Sequence, residues 1–274
     1  MSNLDSYITL CQTYYQTGVA HMDAGRPAEA MLFLSRADTI YSAKDEICEA
    51  VGSDLMDDCS ERIGTLEEEP TLHNDFPQAV EELAEQLDED LIRVWGLFTL
   101  CRLVKLGERL AALPGCALFG ELRWAAEFVL RSFQKEVTGA QLQRLQDIGN
   151  ALYEFTGSPA YFAGGSIAVP GGPDFEIFDL NCFMAPEELM MYLTAHVDRI
   201  TGEASDVVTE IIPCALPLDY CLRTAGQAED HPLIQREIAR IQSDLDFLRT
   251  GPTWAAVNQR AAAYMDLDIL SGEV

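Results

Sequence analysis

Apolar residues recur every three or four positions over most of this 274-residue chain, and that spacing constrains the fold more than any other feature. One such stripe consists of Ile234, Ile238, Ile241, Leu245 and Leu248. Positions with this spacing lie on one face of an α-helix, because the helix repeats every 3.6 residues. Pro232 suits the first turn of this helix and Gly251 its end. The stripe therefore predicts an amphipathic helix packed against a core.

Similar stripes cover most of the chain and predict an all-α protein. We expect helices at about 4–23, 27–43, 44–65, 77–113, 118–136, 139–156, 186–201, 205–224, 232–249 and 253–265. Gly96 or Gly107 could break the fourth of these, and Pro213 with Pro217 should kink or split the eighth. The fold is either a multi-helix orthogonal bundle or a short helical-repeat array.

Two segments depart from the helical pattern. Residues 67–76 are polar and contain Pro70, which predicts a linker between an N-terminal part, 1–66, and a larger helical domain, 77–274. Residues 157–184 are rich in Gly and Pro and predict an irregular loop or a β-hairpin, in which 166–169 would pair with 175–178.

The segment 14–40 reads YYQTGVAHMDAGRPAEAMLFLSRADTI, with small residues placed where two helices would meet. It resembles one tetratricopeptide (TPR) repeat, in which a large aromatic opens the first helix and small residues allow close packing. The residues that match the TPR packing positions are Tyr14, Gly18, Ala20, Gly25, Ala30, Leu34 and Ala37. Thr17 and His21 depart from the pattern. The resemblance covers one repeat, whereas a solenoid needs about three. Together with a third helix, the hairpin equally resembles the three-helix MIT domain. The TPR resemblance implies a role in peptide binding or assembly.

The formal net charge of −27 comes from 45 acidic and 18 basic residues. Residues 45–90 hold 17 acidic residues and one basic residue, Arg62, whereas residues 91–146 are mildly basic. The acidic stretch either lies against the basic one or is available to an outside partner. This charge predicts no nucleic acid and no membrane as partner, and it favours a basic protein.

A search of the sequence for catalytic, metal-binding and cofactor-binding motifs gives little support for an enzymatic function. Asp57, Asp58 and Glu61 spell DDxxE, but the second acidic group, at 74–82, follows too closely to face it across a pocket. The four histidines occur in no metal-binding motif, and no nucleotide-binding glycine motif is present. We therefore predict no catalytic residues, no bound metal and no cofactor.

Eight cysteines are scattered without a CxxC pair, which predicts free thiols in a reducing compartment. The N-terminal residues lack the basic start and apolar core of a secretory signal, and the longest apolar stretch carries charges. We therefore expect a cytoplasmic protein. Assembly into a homo-oligomer is also compatible with the sequence.

The 157–184 segment mixes aromatic and acidic residues, a composition that suits a contact with a basic partner. The predicted contact residues are Tyr161, Phe162, Asp174, Phe175, Glu176 and Asp179. The aromatics could instead pack into the helical core. We predict a non-enzymatic interaction module, such as a scaffold, chaperone or inhibitor, whose acidic surface recognises a basic protein or peptide. The alternative is an enzyme or small-molecule-binding protein with a pocket between the helices and this loop.

Overall fold

The computed structural model describes a helical protein whose residues fall into two compact units. The described residues are 3–42, 45–67, 87–156, 158, 160, 166–168, 175–176, 186–202 and 232–271. The described part of the first unit is 3–42 and 45–67, and that of the second lies within 87–271. The all-α prediction is confirmed. The predicted helix 205–224 and nearly all of the predicted linker 67–76 lie outside the described residues.

The first unit contains two longer helices joined by a tight turn, followed by two helices of unequal length. They are α1 (Asn3–Asp23), α2 (Pro27–Ser42), α3 (Asp45–Val51) and α4 (Ser53–Glu67). The prediction of a single helix over 44–65 is wrong, because the structure has two helices there. Gly52 has a φ of 89°, a left-handed conformation that ends α3 and lets α4 start in a new direction.

The described part of the second unit contains six α-helices, a 3-10 helix and a pair of short β-strands. They are α5 (Glu89–Leu110), the 3-10 helix (Ala117–Glu121), α6 (Leu122–Ser132), α7 (Gly139–Thr156), β1 (Ser166–Ile167), β2 (Phe175–Glu176), α8 (Pro186–Thr201), α9 (Pro232–Arg249) and α10 (Trp254–Met265). The β-strands pair antiparallel, with Ser166 opposite Glu176. The sequence offered this hairpin as one of two alternatives and did not predict its register. The helix predicted at 118–136 is shorter than expected and begins with the 3-10 turn.

Helix α5 is the central element of the second unit, because most of its side chains are buried. It begins at Glu89, after the N-cap Asp88, and neither Gly96 nor Gly107 breaks it. A Cβ added at Gly96 would lie 2.5 Å from Cε2 of Tyr192 on α8. The glycine therefore serves close packing between α5 and α8, which allows the Tyr192 hydroxyl to donate to the carbonyl of Arg93 at 2.9 Å.

A buried network of charges joins α5 to α9 and α10. Arg102, Glu237 and Asp244 have no exposed surface. Arg102 donates to Asp244 and forms an ion pair of 3.4 Å with Glu237. Asp244 also accepts from Arg260 at 2.6 Å and from the Tyr264 hydroxyl at 2.7 Å. Burial, together with the Asp244 charge, raises the pKa of Tyr264 to about 12. Three helices are thus held in one register by the pairing of buried charges.

We predict that Asp244→Asn lowers the free energy of unfolding by about 3 kcal/mol or more, because it removes the buried carboxylate shared by Arg102 and Arg260 and leaves Arg102 with the more distant Glu237, at 3.4 Å. Urea unfolding followed by circular dichroism measures the change. Asp246→Asn on the same helix is the matched control, since that carboxylate is 77% exposed and pairs with Arg249 only at 3.5 Å. The control should change stability by less than about 0.5 kcal/mol. Equal effects of the two substitutions would contradict a structural role for the network.

Candidate functional site

The TPR-like residues mostly meet at the contact between α1 and α2. Ala30, Leu34 and Ala37 are fully buried, and a Cβ added at Gly18 would lie 2.7 Å from Leu34 Cγ. The Tyr14 ring lies 5.9 Å from that of Phe33. These contacts show two helices in close approach around a glycine, which is the packing that the TPR resemblance implies.

Two further TPR-like residues lie away from this contact. Gly25 occupies the turn with a φ of 67°, a conformation that favours glycine. Ala20 is exposed, which corrects its prediction as a packing residue. It follows Gly18 by two positions, or about 200° around the helix, and therefore points to the opposite side.

We predict that Gly18→Ala destabilises the first unit by about 1–3 kcal/mol, because the added methyl group overlaps Leu34. Gly64→Ala is the matched control within α4, where a Cβ would meet no atom within 4 Å. The control should stabilise the chain by up to about 1 kcal/mol through helix propensity. Denaturant unfolding of both variants checks the contrast, and a neutral Gly18→Ala would contradict the close approach.

The predicted contact residues of the 157–184 segment are mostly not placed by the structure. Phe175 and Glu176 form the backbone of β2, whereas Tyr161, Phe162, Asp174 and Asp179 lie outside the described residues. Beside β1, Arg109 donates to the carbonyl oxygen of Ala168 and pairs with Asp268 at 3.1 Å. The bond to Ala168 attaches β1 to α5, and the pair with Asp268 holds the Arg109 side chain in place.

A cleft at the N-terminal end of α5, hereafter the acidic cleft, combines exposed carboxylates with an exposed aromatic ring. It measures about 590 Å³, a size typical of ligand-binding pockets. The lining residues that determine its chemistry are Asp88, Glu89, Asp90, Arg93, Pro252 and Trp254. The three carboxylates are exposed, and Trp254 is 39% exposed.

Local sequence places both sides of the acidic cleft. Asp88 caps α5 by accepting from the Leu91 backbone N–H at 2.9 Å, which fixes the start of the helix and its acidic first turn. On the other side, Gly251 has a φ of 64° and ends α9, and Thr253 caps α10. Trp254 is therefore the first residue of α10, where its side chain reaches the cleft.

Arg93 is the buried cation of the acidic cleft. Its side chain is 8% exposed, and it lies 3.3 Å from Glu89 and 3.8 Å from Asp90. Both distances are longer than the 2.7–2.9 Å of a strong charge-assisted hydrogen bond. Its Nε is buried without a hydrogen-bond acceptor among the described residues.

Phe133, which directly follows α6, contacts both Trp254 and residues of α8. The Phe133 ring lies 5.2 Å from the rings of both Trp254 and His196. The Arg199 guanidinium lies over Phe133 at 4.3 Å. Burial lowers the pKa of Arg199, Asp90 opposes this shift, and the positive charge of Arg93 adds to it. The two arginines are therefore close enough to repel each other.

Ser132 and His196 form a pair that resembles a nucleophile and its base, with 2.6 Å between Oγ and Nε2. Ser132 Oγ also lies 2.8 Å from the Val129 carbonyl and accepts from Arg199 at 3.3 Å. A hydroxyl has one proton, and only a donor can approach a carbonyl favourably. We therefore assign the serine proton to Val129 and the imidazole proton to Nε2. In this arrangement His196 cannot take the serine proton, and the pair links α6 to α8.

The environment of His196 keeps its imidazole neutral. The residue is 1% exposed, and burial, with the charges of Arg199 and Arg93, lowers its pKa from 6.5 to about 3. The contact with Ser132 gives this histidine a structural role.

The acidic cleft was not predicted from the sequence, although part of its signal is visible there. Asp88, Glu89 and Asp90 end the acidic stretch 45–90 and directly precede a helix, and Trp254 follows a Gly-Pro-Thr turn. These two segments are more than 160 positions apart. Only the packing of α10 against α5 brings them into one cleft.

Comparisons with protein-family models, with curated proteins and with solved structures found no match for this chain. Evidence for a function therefore has to come from its own residues. In the described part of the chain, no helix has the length and apolarity needed to cross a membrane. Within the same residues, no group of three or more potential ligands is arranged to hold a metal ion.

We predict that His196 makes stability depend on pH. Its folded pKa of about 3 lies below the unfolded value of 6.5, so the unfolded state binds the additional proton between these values. As pH falls from about 6.5 towards 3, this one group should remove up to about 1.4 kcal/mol of unfolding free energy per pH unit. His196→Gln should reduce this dependence of the unfolding free energy on pH by the contribution of about one proton. Urea unfolding at several pH values between 7 and 4 measures the slope for both proteins. Identical slopes would show that the folded protein protonates His196 normally.

Proposed function

We propose that this chain is a non-enzymatic binding module for a basic protein or peptide, and that an arginine or lysine of the partner enters the acidic cleft. The observation that carries this proposal is the exposed ring of Trp254 in the same cleft as three exposed carboxylates, those of Asp88, Glu89 and Asp90. A cation with an aliphatic stem is the side chain that these groups complement.

The chemistry of the cleft favours a cationic occupant. A guanidinium or ammonium over an indole face gains about 0.5–1 kcal/mol at an exposed site. Glu89 and Asp90 are 77% and 69% exposed, so their charges face the solvent side, whereas the opposing charge of Arg93 is buried. A partner side chain entering the cleft therefore meets negative charge before positive charge.

The charge of the whole chain supports the same kind of partner. A net charge of −27 attracts a basic molecule over a distance and raises the rate of encounter, an effect that salt weakens. Long-range attraction alone does not select a site, however. Selection requires the local combination of ring and carboxylates that the cleft provides.

The first unit offers a second acidic surface, formed by the exposed Asp54, Asp57 and Glu61 of α4. Among the described residues, the exposed large hydrophobic side chains are Tyr153, Met191 and Trp254, all in the second unit. The α4 surface thus has charge without an exposed aromatic anchor among the described residues. It supplies a control with the same number of carboxylates.

The proposal is tested with a labelled peptide that contains two internal arginines and an amidated end, measured by fluorescence anisotropy at low and physiological salt. The same peptide with citrulline in place of arginine keeps the shape and removes the charge. We expect Trp254→Ala to weaken binding about fivefold, from the lost cation–π contact. Neutralising the cleft with Asp88→Asn, Glu89→Gln and Asp90→Asn should weaken it about tenfold, and the asparagine at 88 preserves the N-cap.

The matched control is the α4 variant with Asp54→Asn, Asp57→Asn and Glu61→Gln, which removes the same charge from the chain. It should weaken binding less than about twofold at physiological salt, where charges are screened over about 8 Å. Equal losses in the two triple variants would show that net charge, and not the cleft, attracts the peptide. Equal binding of the arginine and citrulline peptides would overturn the proposal.

A further inference from the structure

Resting on the proposed function, we infer that the acidic cleft binds the C-terminal residue of its partner: a lysine or arginine whose free α-carboxylate is held by Arg93. The proposal of a basic partner concerns only the positive side chain. The buried arginine adds a requirement for negative charge on the same ligand.

Arg93 is short of acceptors in its present surroundings. Its guanidinium carries five N–H donors. It donates one long hydrogen bond of 3.3 Å to Glu89, Asp90 lies at 3.8 Å, and Nε has no acceptor among the described residues. A charge that is 92% buried normally has close, hydrogen-bonded partners, because water no longer solvates it. A carboxylate arriving through the cleft would supply one.

Arg199 increases the positive potential at this end of the cleft. Within the described part of the chain no carboxylate lies within ion-pair distance of Arg199, and its Nε is also buried without an acceptor. Its NH2 group donates to the Ser132 hydroxyl at 3.3 Å, a neutral acceptor, and the negative charge of Asp90 acts on it only from beyond ion-pair distance. The positive charges of Arg93 and Arg199 repel each other, and an anion bound beside Arg93 in the cleft would reduce that repulsion.

The cleft thus presents opposite charges at different depths. The exposed carboxylates of Asp88, Glu89 and Asp90 face outwards, and Arg93 lines the cleft as a buried cation. A ligand with a single charge complements one of these groups and opposes the other. A C-terminal arginine or lysine carries both charges, separated by an aliphatic stem that can lie on Trp254. Capture of a terminal carboxylate is an established mode of peptide recognition.

The test compares two peptides of the same sequence that end in arginine, one with a free carboxylate and one with an amide. Titration calorimetry with the full wild-type chain should give about tenfold tighter binding of the free acid, the worth of one hydrogen-bonded contact between charged groups. Arg93→Gln should bring the two affinities to within about twofold. Because that residue is buried, circular dichroism must show that the variant is folded, and Arg199→Gln, which should reduce the preference in the same direction, provides a second variant.

The outcomes separate this inference from the function on which it rests. If wild-type protein binds the amide as tightly as the acid, the C-terminal assignment is wrong while the basic-partner proposal stands. If a free-acid peptide ending in citrulline binds as tightly as the arginine peptide, the cleft recognises the anion alone, and both proposals are wrong. Failure of all these peptides to bind likewise overturns both. Preference for the acid that disappears in Arg93→Gln supports the inference.

Discussion

The arrangement of the second unit depends on the buried charges of Arg102, Glu237 and Asp244. Placing unpaired charges in a protein interior costs far more than any single apolar contact gains, so α5, α9 and α10 can pack only where these groups meet. Apolar stripes would tolerate several helix registers. The requirement that Asp244 accept from Arg102, Arg260 and Tyr264 together selects one of them.

The acidic cleft is a consequence of that register. Helix α5 carries Arg102 in its interior and Asp88 at its cap, so fixing the one also fixes the other. Helix α10 carries Arg260 in the network and Trp254 at its first turn, so the indole is placed relative to the carboxylates by the same pairing. The close approach of Gly96 to Tyr192 packs α8 against the end of α5 that holds Arg93. Helix α8 also carries His196 and Arg199. Recognition at the surface is thus positioned by charge pairing and close packing inside.

Most of the helices could be predicted because their signals are local. The stripe from Ile234 to Leu248 and the cap at Thr253 each depend on residues a few positions apart, and the structure has helices there. The errors occurred where one backbone conformation decides the outcome. The left-handed φ of Gly52 divides the predicted third helix. Gly96 and Gly107 instead lie within α5, where the lack of a side chain leaves room for Tyr192 and for the backbone of Phe119. Sequence spacing does not distinguish a glycine that ends a helix from one that lets a second helix pack closely.

By itself, the sequence determined that the protein is all-α and that its charge is strongly negative, with the acidic residues concentrated in 45–90 and in the C-terminal half. Propensity, hydrophobic period and charge are properties of neighbouring residues, which explains why they can be read directly. The tertiary structure alone decided that Asp88 and Trp254 share a cleft, that Arg93 lies buried beside them, and that His196 links two helices through Ser132. These relations join residues 60 to more than 160 positions apart, and they arise from the packing of whole helices, which no local pattern encodes.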